Sequence, residues 1–420
     1  METDLQIDYR RALEALRSGV PNRHAVSALG CNQGEAEKAF SERLDGVQSA
    51  AEDGKQVPGL LIEGGFGAGK SHLLDYLEHL AGSRNFMTSR IVVSKETPLY
   101  DPSKVLLAAI DSAVVPGLNG EAIREISLHL QPGTPKYADF LAWATHPSSG
   151  LSQMFAATVL LHERLNNDPE WVDEITNFWS GERLSVSRIR QGLKQISCSG
   201  MYSLKPVKMK ELALQRFLFI ARLILAAGYA GWVLLIDEVE LVGRYSLLQR
   251  GRSYAELARW MGRVEGEIIP GLMSVAAITD DFGSAVLQER SDRDIVGKRL
   301  RAKETDEYIR LAGCADTGMR LIERETLRLR PPDDSTLRQT YEKIKEIYAK
   351  AYGWDPPEIP WPAAATSRRL RSYVRRWVNE WDLRRLYPGA EICTDEELEI
   401  RPTYEQDENL ELPLSASEEP

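Results

Sequence analysis

The sequence predicts an α/β fold: a parallel sheet flanked by helices, with a long helical insertion and a helical C-terminal lid domain. Three observations carry that expectation. Residues 59–63 (Gly-Leu-Leu-Ile-Glu) run into a turn, Gly64-Gly65-Phe66-Gly67-Ala68-Gly69-Lys70-Ser71, and then into apolar residues at helical spacing. Residues 232–238 (Trp-Val-Leu-Leu-Ile-Asp-Glu) form a continuous apolar run ending in two acids, the pattern of a strand buried on both faces. Residues 271–281 repeat the pattern and end at Thr279, Asp280 and Asp281.

The turn reads G-x-x-x-x-G-K-S between strand and helix, the context that a phosphate-binding loop requires. Glycines let the loop close and turn its backbone N–H groups inward, and these donors sit at the positive end of the following helix. Lys70 is expected to reach the β- and γ-phosphates of a nucleotide, and the Ser71 hydroxyl to ligate Mg²⁺. The loop residues Gly64 to Ser71, with His72 after them, make up the expected nucleotide-binding set. In a parallel sheet the carboxyl ends of the strands face the ligand crevice. Asp237 is therefore expected to hold Mg²⁺, directly or through water, and Glu238 to polarise the attacking water. Thr279 or Asp280, at the end of the neighbouring strand, is placed to sense the γ-phosphate.

Around these motifs the chain divides as follows. Residues 1–55 read as an N-terminal helical segment, with helices over 4–17 and 36–51, and with Asn22 or Ser27 as further caps. The turn at 19–22 is a candidate neighbour of the adenine. Residues 56–114 and 207–300 form the nucleotide-binding core. Strands are expected at 59–63, 90–94, 232–237 and 271–278, and helices at 105–114, 212–227 and 257–264. Residues 115–206 show only helical patterns, such as 151–165 and 171–179, and form the insertion. Residues 301–390 make up the helical lid, with a winged-helix-like arrangement as the alternative, and 391–420 an acidic tail.

Arginines cluster twice. Arg290, Arg293 and Arg299 follow the second acidic-ended strand, where a neighbouring subunit's γ-phosphate is within reach in an oligomer. In 367–381, Leu370, Tyr373, Val374, Trp377 and Trp381 form one stripe, with arginines on the other faces. Arg368 opens that helix as a candidate second sensor, and the arginines after it are candidate DNA contacts.

Composition sets limits on the rest. The net charge is −10, but from residue 391 onward eleven acids face Arg401 alone. The tail thus carries the whole imbalance, and the body is neutral. Four dispersed cysteines and six scattered histidines show no metal-ligand spacing. No apolar run approaches the length of a membrane span, and Met1-Glu2-Thr3-Asp4 lacks the features of a secretion signal. The expectation is a cytoplasmic protein that does not enter the membrane.

The order of strand, phosphate loop, helix, strand, helical stretch, Asp-Glu strand, sensor strand and arginine-bearing helices resembles the AAA+ superfamily of P-loop NTPases, of the origin-recognition and helicase-loader type. More closely, residues 11–30 (RALEALRSGVPNRHAVSALG), the GGFGAGKSH loop, Ser94-Lys95-Glu96-Thr97-Pro98-Leu99 and the segment LLIDEVELVGR are similar to the BrxD-like ATP-binding proteins of bacterial BREX phage defence. The resemblance implies an ATPase with ATP and Mg²⁺, working as a homo-oligomer beside other defence-system proteins such as a helicase, with DNA as a candidate partner. By the AAA+ comparison, Lys70 and Ser71 match the phosphate-binding positions, Asp237 and Glu238 the Mg²⁺ and water-activating pair, Thr279 or Asp280 the first sensor and Arg368 the second. The alternative expectation is a nucleotide-dependent switch or scaffold that hydrolyses little and recruits partners.

Overall fold

In the computed structural model, residues 4–18, 29–331, 333–359 and 370–388 are described. Arg368, the turn at 19–22, the caps Asn22 and Ser27, and the tail 391–420 lie outside them.

Five strands form one parallel sheet: β1 (Leu60–Glu63), β2 (Phe86–Val92), β3 (Gly231–Asp237), β4 (Leu272–Ile278) and β5 (Thr326–Arg328). Their spatial order is β2-β3-β4-β1-β5. β4 therefore separates the strand that leads into the glycine-rich loop from the strand that ends in Asp237. β3 and β4 are buried at every position, and β1 likewise, which accounts for their unbroken apolar reading.

β2 begins four residues before the expected 90–94. Its first half, Phe86-Met87-Thr88-Ser89, carries two hydroxyls in buried positions, and both find partners. Thr88 Oγ1 donates to Glu78 at 3.3 Å, and Ser89 Oγ accepts from Trp232 Nε1 at 2.9 Å. β5 had no sequence signal. Three residues at the sheet edge suffice because Glu63 accepts from Thr326 Oγ1 at 2.6 Å and from Arg328 Nη2 at 2.7 Å.

One face of the sheet is covered by two helices from the N-terminal part of the chain. Helix α1 (Asp4–Ser18) joins a separate cluster, described below. Helix α2 (Gly34–Glu52) lies on the sheet with α3 (Lys70–Ser83), through Phe40, Leu44, Leu73, Leu74 and Leu77.

The opposite face carries α4 (Pro102–Asp111) and α10 (Met209–Ala226), and between these in sequence come α5 (Ala122–Leu128), α6 (Pro135–Thr145), α7 (Gln153–Arg164), α8 (Pro169–Ser180) and α9 (Val186–Gln195). Residues 115–206 form no strand. Their helices close on α10 through aromatic contacts, with Phe155 and Trp179 at 4.9 and 5.2 Å from the Phe219 ring.

Helix α11 (Leu247–Trp260) lies earlier than the expected 257–264. A capping box between Ser246 and Gln249 starts it, and Gly262, at φ +66°, follows its last turn. Arg250 and Tyr254 of α11 hold the buried Asp292 of α12 (Asp292–Arg301), both at 2.7 Å. Helix α13 (Asp306–Arg324) crosses α11 where Gly318 faces backbone, since a Cβ there would stand 1.9 Å from Tyr254 O.

The separate cluster joins α1 to α14 (Asp334–Tyr352) and α15 (Leu370–Leu386) through Leu13, Tyr341, Tyr348, Trp377 and Trp381. Arg17 of α1 pairs with Asp382 of α15, and Arg10 Nε donates to Ala351 O at 2.9 Å. The apolar stripe expected in 367–381 is thus the buried face of α15.

The crossing of α11 and α13 gives a direct test. Gly318→Ala is expected to cost about 2 kcal/mol, because the neighbour is backbone and cannot rotate away. Gly313→Ala on the same helix, with nothing within 4 Å of its Cβ position, is expected to be neutral or to gain up to about 1 kcal/mol. Urea denaturation midpoints of the two variants decide it, and equal effects would refute the close crossing.

Candidate nucleotide site

The parallel register brings the chemistry to one edge. Leu60 pairs with Val275, Trp232 with Leu272, and Val92 with Asp237, so the carboxyl ends of β1, β3 and β4 lie side by side. The glycine-rich loop leaves β1 and enters α3 at this edge. Gly67 and Gly69 take φ +80° and +96°, a region where a side chain is strained. Gly64 N donates to Ile278 O of β4 at 3.1 Å, and Ala68 N closes the loop onto Gly65 O at 3.1 Å.

Lys70 is buried, and its Nζ donates to Gly64 O at 2.8 Å and Gly65 O at 3.4 Å. The ammonium is held at the mouth of its own loop. His72 Nε2 lies 3.0 Å from Gly30 O, and burial lowers its pKa. It ties the chain before α2 to the loop helix. Phe66, at the loop tip, is exposed.

Asp237 ends β3 and is buried. Its Oδ1 accepts the N–H of Glu238 at 3.0 Å and its Oδ2 accepts Arg90 Nη2 at 2.8 Å. Glu238 sits in the left-handed region at φ 57°, ψ 36°, a conformation that costs a non-glycine residue about 1 kcal/mol or more. Its N–H bond to Asp237 and its carbonyl, which accepts from Leu241 N at 3.0 Å, hold that turn. Burial and the adjacent Asp237 push the Glu238 carboxyl up, and Lys70 and Arg244 oppose them.

Thr279 is buried directly after β4. With Asp280 it lines a cleft of about 440 Å³ together with Glu63, Arg293 and Arg328. A Cβ on Gly65 would stand 3.5 Å from the Asp280 carboxylate, so this acid borders the loop. Of the three arginines in the first cluster, Arg290 donates to Gly243 O, Arg293 pairs with Glu323 at 3.2 Å, and Arg299 is exposed.

Two residues of this edge escape the motif reading. Arg90 reaches Asp237 from β2 and also bonds Ser71 O at 3.3 Å and the Asp75 carboxylate of α3. The signal was a lone arginine inside a β-branched run, costly in a buried strand unless paired. Glu240, three residues past Asp237, is 6% exposed, and its Oε2 has no hydrogen-bond partner. Burial pushes it up to about 7, against the pull of Lys70.

Among the described residues no group of three or more His, Cys, Asp or Glu side chains is arranged to hold a metal, and no helix is long and apolar enough to cross a membrane. The five-stranded parallel sheet flanked by helices, with the glycine-rich loop at its edge, is compatible with a P-loop NTPase-like fold. The chain belongs to the family of BREX system ATP-binding proteins BrxC/D, which it matches over residues 6–114 and 209–379. The unmatched interval spans α5 to α9. Neither the curated proteins nor the solved structures gave a match.

The buried acid yields a pH prediction. A carboxyl whose folded pKa is raised binds more protons folded than unfolded between about pH 4.5 and 7, so its contribution to stability falls as pH rises through that window. For Glu240 the loss is about 3 kcal/mol, complete above pH 7. Glu240→Gln is expected to gain about that much over the parent at pH 8 and little at pH 4.5. Parallel unfolding curves at the two pH values test this, and a difference that does not change with pH would refute it.

Proposed function

We propose that the chain is a Mg²⁺-dependent ATPase of the BREX defence system. The observation that carries the reading is the meeting, at one sheet edge, of Lys70 with an Asp237–Glu238 pair, whose Glu238 feels the lysine's charge. Lys70, the loop N–H groups and the end of α3 bind the phosphates. Asp237 and Ser71 supply hard oxygen ligands. Few protein ligands suit a cation that keeps its waters and is shared with phosphates, as Mg²⁺ is. Once bound, the cation would offset charge developing on the transferred phosphoryl group.

Glu238 is the proposed general base. Its raised pKa and its fixed left-handed turn favour taking a proton from a water held beside the phosphates. Thr279 or Asp280 is the proposed sensor at the end of β4, Arg368 the second sensor, and one of Arg290, Arg293 and Arg299 the residue offered to a neighbouring subunit in a homo-oligomer.

The domain assignment proposed is a core of 56–114 and 207–300, an insertion of 115–206, and a lid within 301–390. Coupling to DNA or to a partner helicase is part of the proposal, with the arginines of α15 as the DNA contact. Arg384 and Arg385 of that helix are engaged with Glu380 and with Tyr348. One observation favours the second reading, a switch or scaffold with little hydrolysis. Asp237 is held by Arg90 and Lys70 by loop carbonyls, an arrangement that must open before a nucleotide engages both.

Lys70→Ala is expected to abolish nucleotide binding, and Glu238→Gln to keep ATP bound and lower turnover by roughly 10²-fold or more. Calorimetry with ATP and a phosphate-release assay check both. Turnover of Glu238→Gln at the parent rate would remove the general-base assignment. Direct DNA binding is expected to weaken steeply between low and physiological salt, and no binding at low salt with or without ATP would remove DNA as a direct partner.

A further inference from the structure

Arg90 lies in register with Leu235 on β3. Side chains alternate faces along a strand, so Asp237, two residues on, shares that face with the arginine. Ser71 and Asp75 stand four residues apart on α3, one turn above the other on the same side. The guanidinium meets all three: Nη2 on Asp237 Oδ2 at 2.8 Å, Nη2 on Ser71 O at 3.3 Å, and Nη1 on the Asp75 carboxylate. The side chains of Arg90, Asp75 and Asp237 are 20%, 15% and 6% exposed.

The residues proposed to hold the metal are therefore both attached to one arginine from a third element. Both Asp237 oxygens are engaged, one by Arg90 and the other by the N–H of Glu238. A divalent cation at this carboxylate meets a positive charge already paired with it.

We propose that Arg90 is a built-in counter-cation: it is paired with Asp237, and a divalent ion has to compete with it, so that Arg90 sets the affinity of the site for metal. It acts as a positioning residue, through Asp237. This inference rests on the reading of Asp237 as the metal-holding acid.

Asp75 gives the idea its sharpest consequence. It shares the guanidinium with Asp237 and draws part of its charge away. Removing the Asp75 charge leaves Arg90 more fully committed to Asp237, while removing the Arg90 charge frees Asp237. The two substitutions break the same ion-pair network, yet they move metal affinity in opposite directions. An arginine with a purely structural role would lower stability in both cases and impose no such order.

The test is Mn²⁺ binding to the full chain, followed by electron paramagnetic resonance with saturating ADP, and by the thermal shift that Mn²⁺ alone produces. Arg90→Gln is expected to bind Mn²⁺ roughly fivefold tighter or more, the weight of one unit charge at contact distance in a water-like dielectric. Asp75→Asn is expected to bind it more weakly than the parent, and Arg90→Lys to stay near the parent. Equal or weaker binding by folded Arg90→Gln, while Asp237→Asn has lost Mn²⁺, overturns the counter-cation and leaves the metal-holding role of Asp237 standing. Unchanged binding by Asp237→Asn overturns both. Should Arg90→Gln not fold, Asp75→Asn decides alone: weaker binding supports the proposal, and equal or tighter binding overturns it.

Discussion

The parallel ladder that places β4 between β1 and β3 is the constraint on which the rest depends. Because every strand runs the same way, the ends of β1, β3 and β4 open at one edge. The loop from β1 is fastened there by Gly64 N on Ile278 O. A strand reversed or slipped by one residue would turn Asp237 away from α3 and separate it from Arg90. Lys70, the Asp237–Glu238 pair and Thr279 are far apart in sequence, and it is the register that brings them to one edge.

Much of this was legible because buried parallel strands have to be apolar and phosphate loops need glycine at fixed places. Both constraints leave strong marks, and β1, β3, β4 and the start of α3 fall where those marks are. Signals that depend on pairing were weaker. The first half of β2 hides its strand character behind Thr88 and Ser89, whose hydroxyls are satisfied by Glu78 and Trp232 across the fold. β5 is too short to show a period and depends on Glu63. Helix α11 starts earlier than the expected 257–264, and its interior glycine, Gly251, lies against Val296 and Leu300 of α12.

The site divides in the same way. The loop and the Asp-Glu pair are local motifs, whereas Arg90 and Glu240 acquire meaning only from what stands beside them. An arginine in a buried strand, and a carboxyl two residues past a catalytic-type pair, are local inconsistencies of the kind that concentrate at functional sites. Nor could the sequence say which core α1 joins. Its stripe fits any apolar partner, and the partners, α14 and α15, lie at the other end of the chain. That pairing links the N-terminal helix to the helices beyond the sheet.

We propose that this edge hydrolyses ATP rather than only holding it. A single-turnover experiment tests it most directly: trace γ-labelled ATP, an excess of the full chain, and Mg²⁺, with labelled phosphate followed over time. Nearly all of the bound label is expected to be released as inorganic phosphate. Recovery of the label as intact, protein-bound ATP would contradict it.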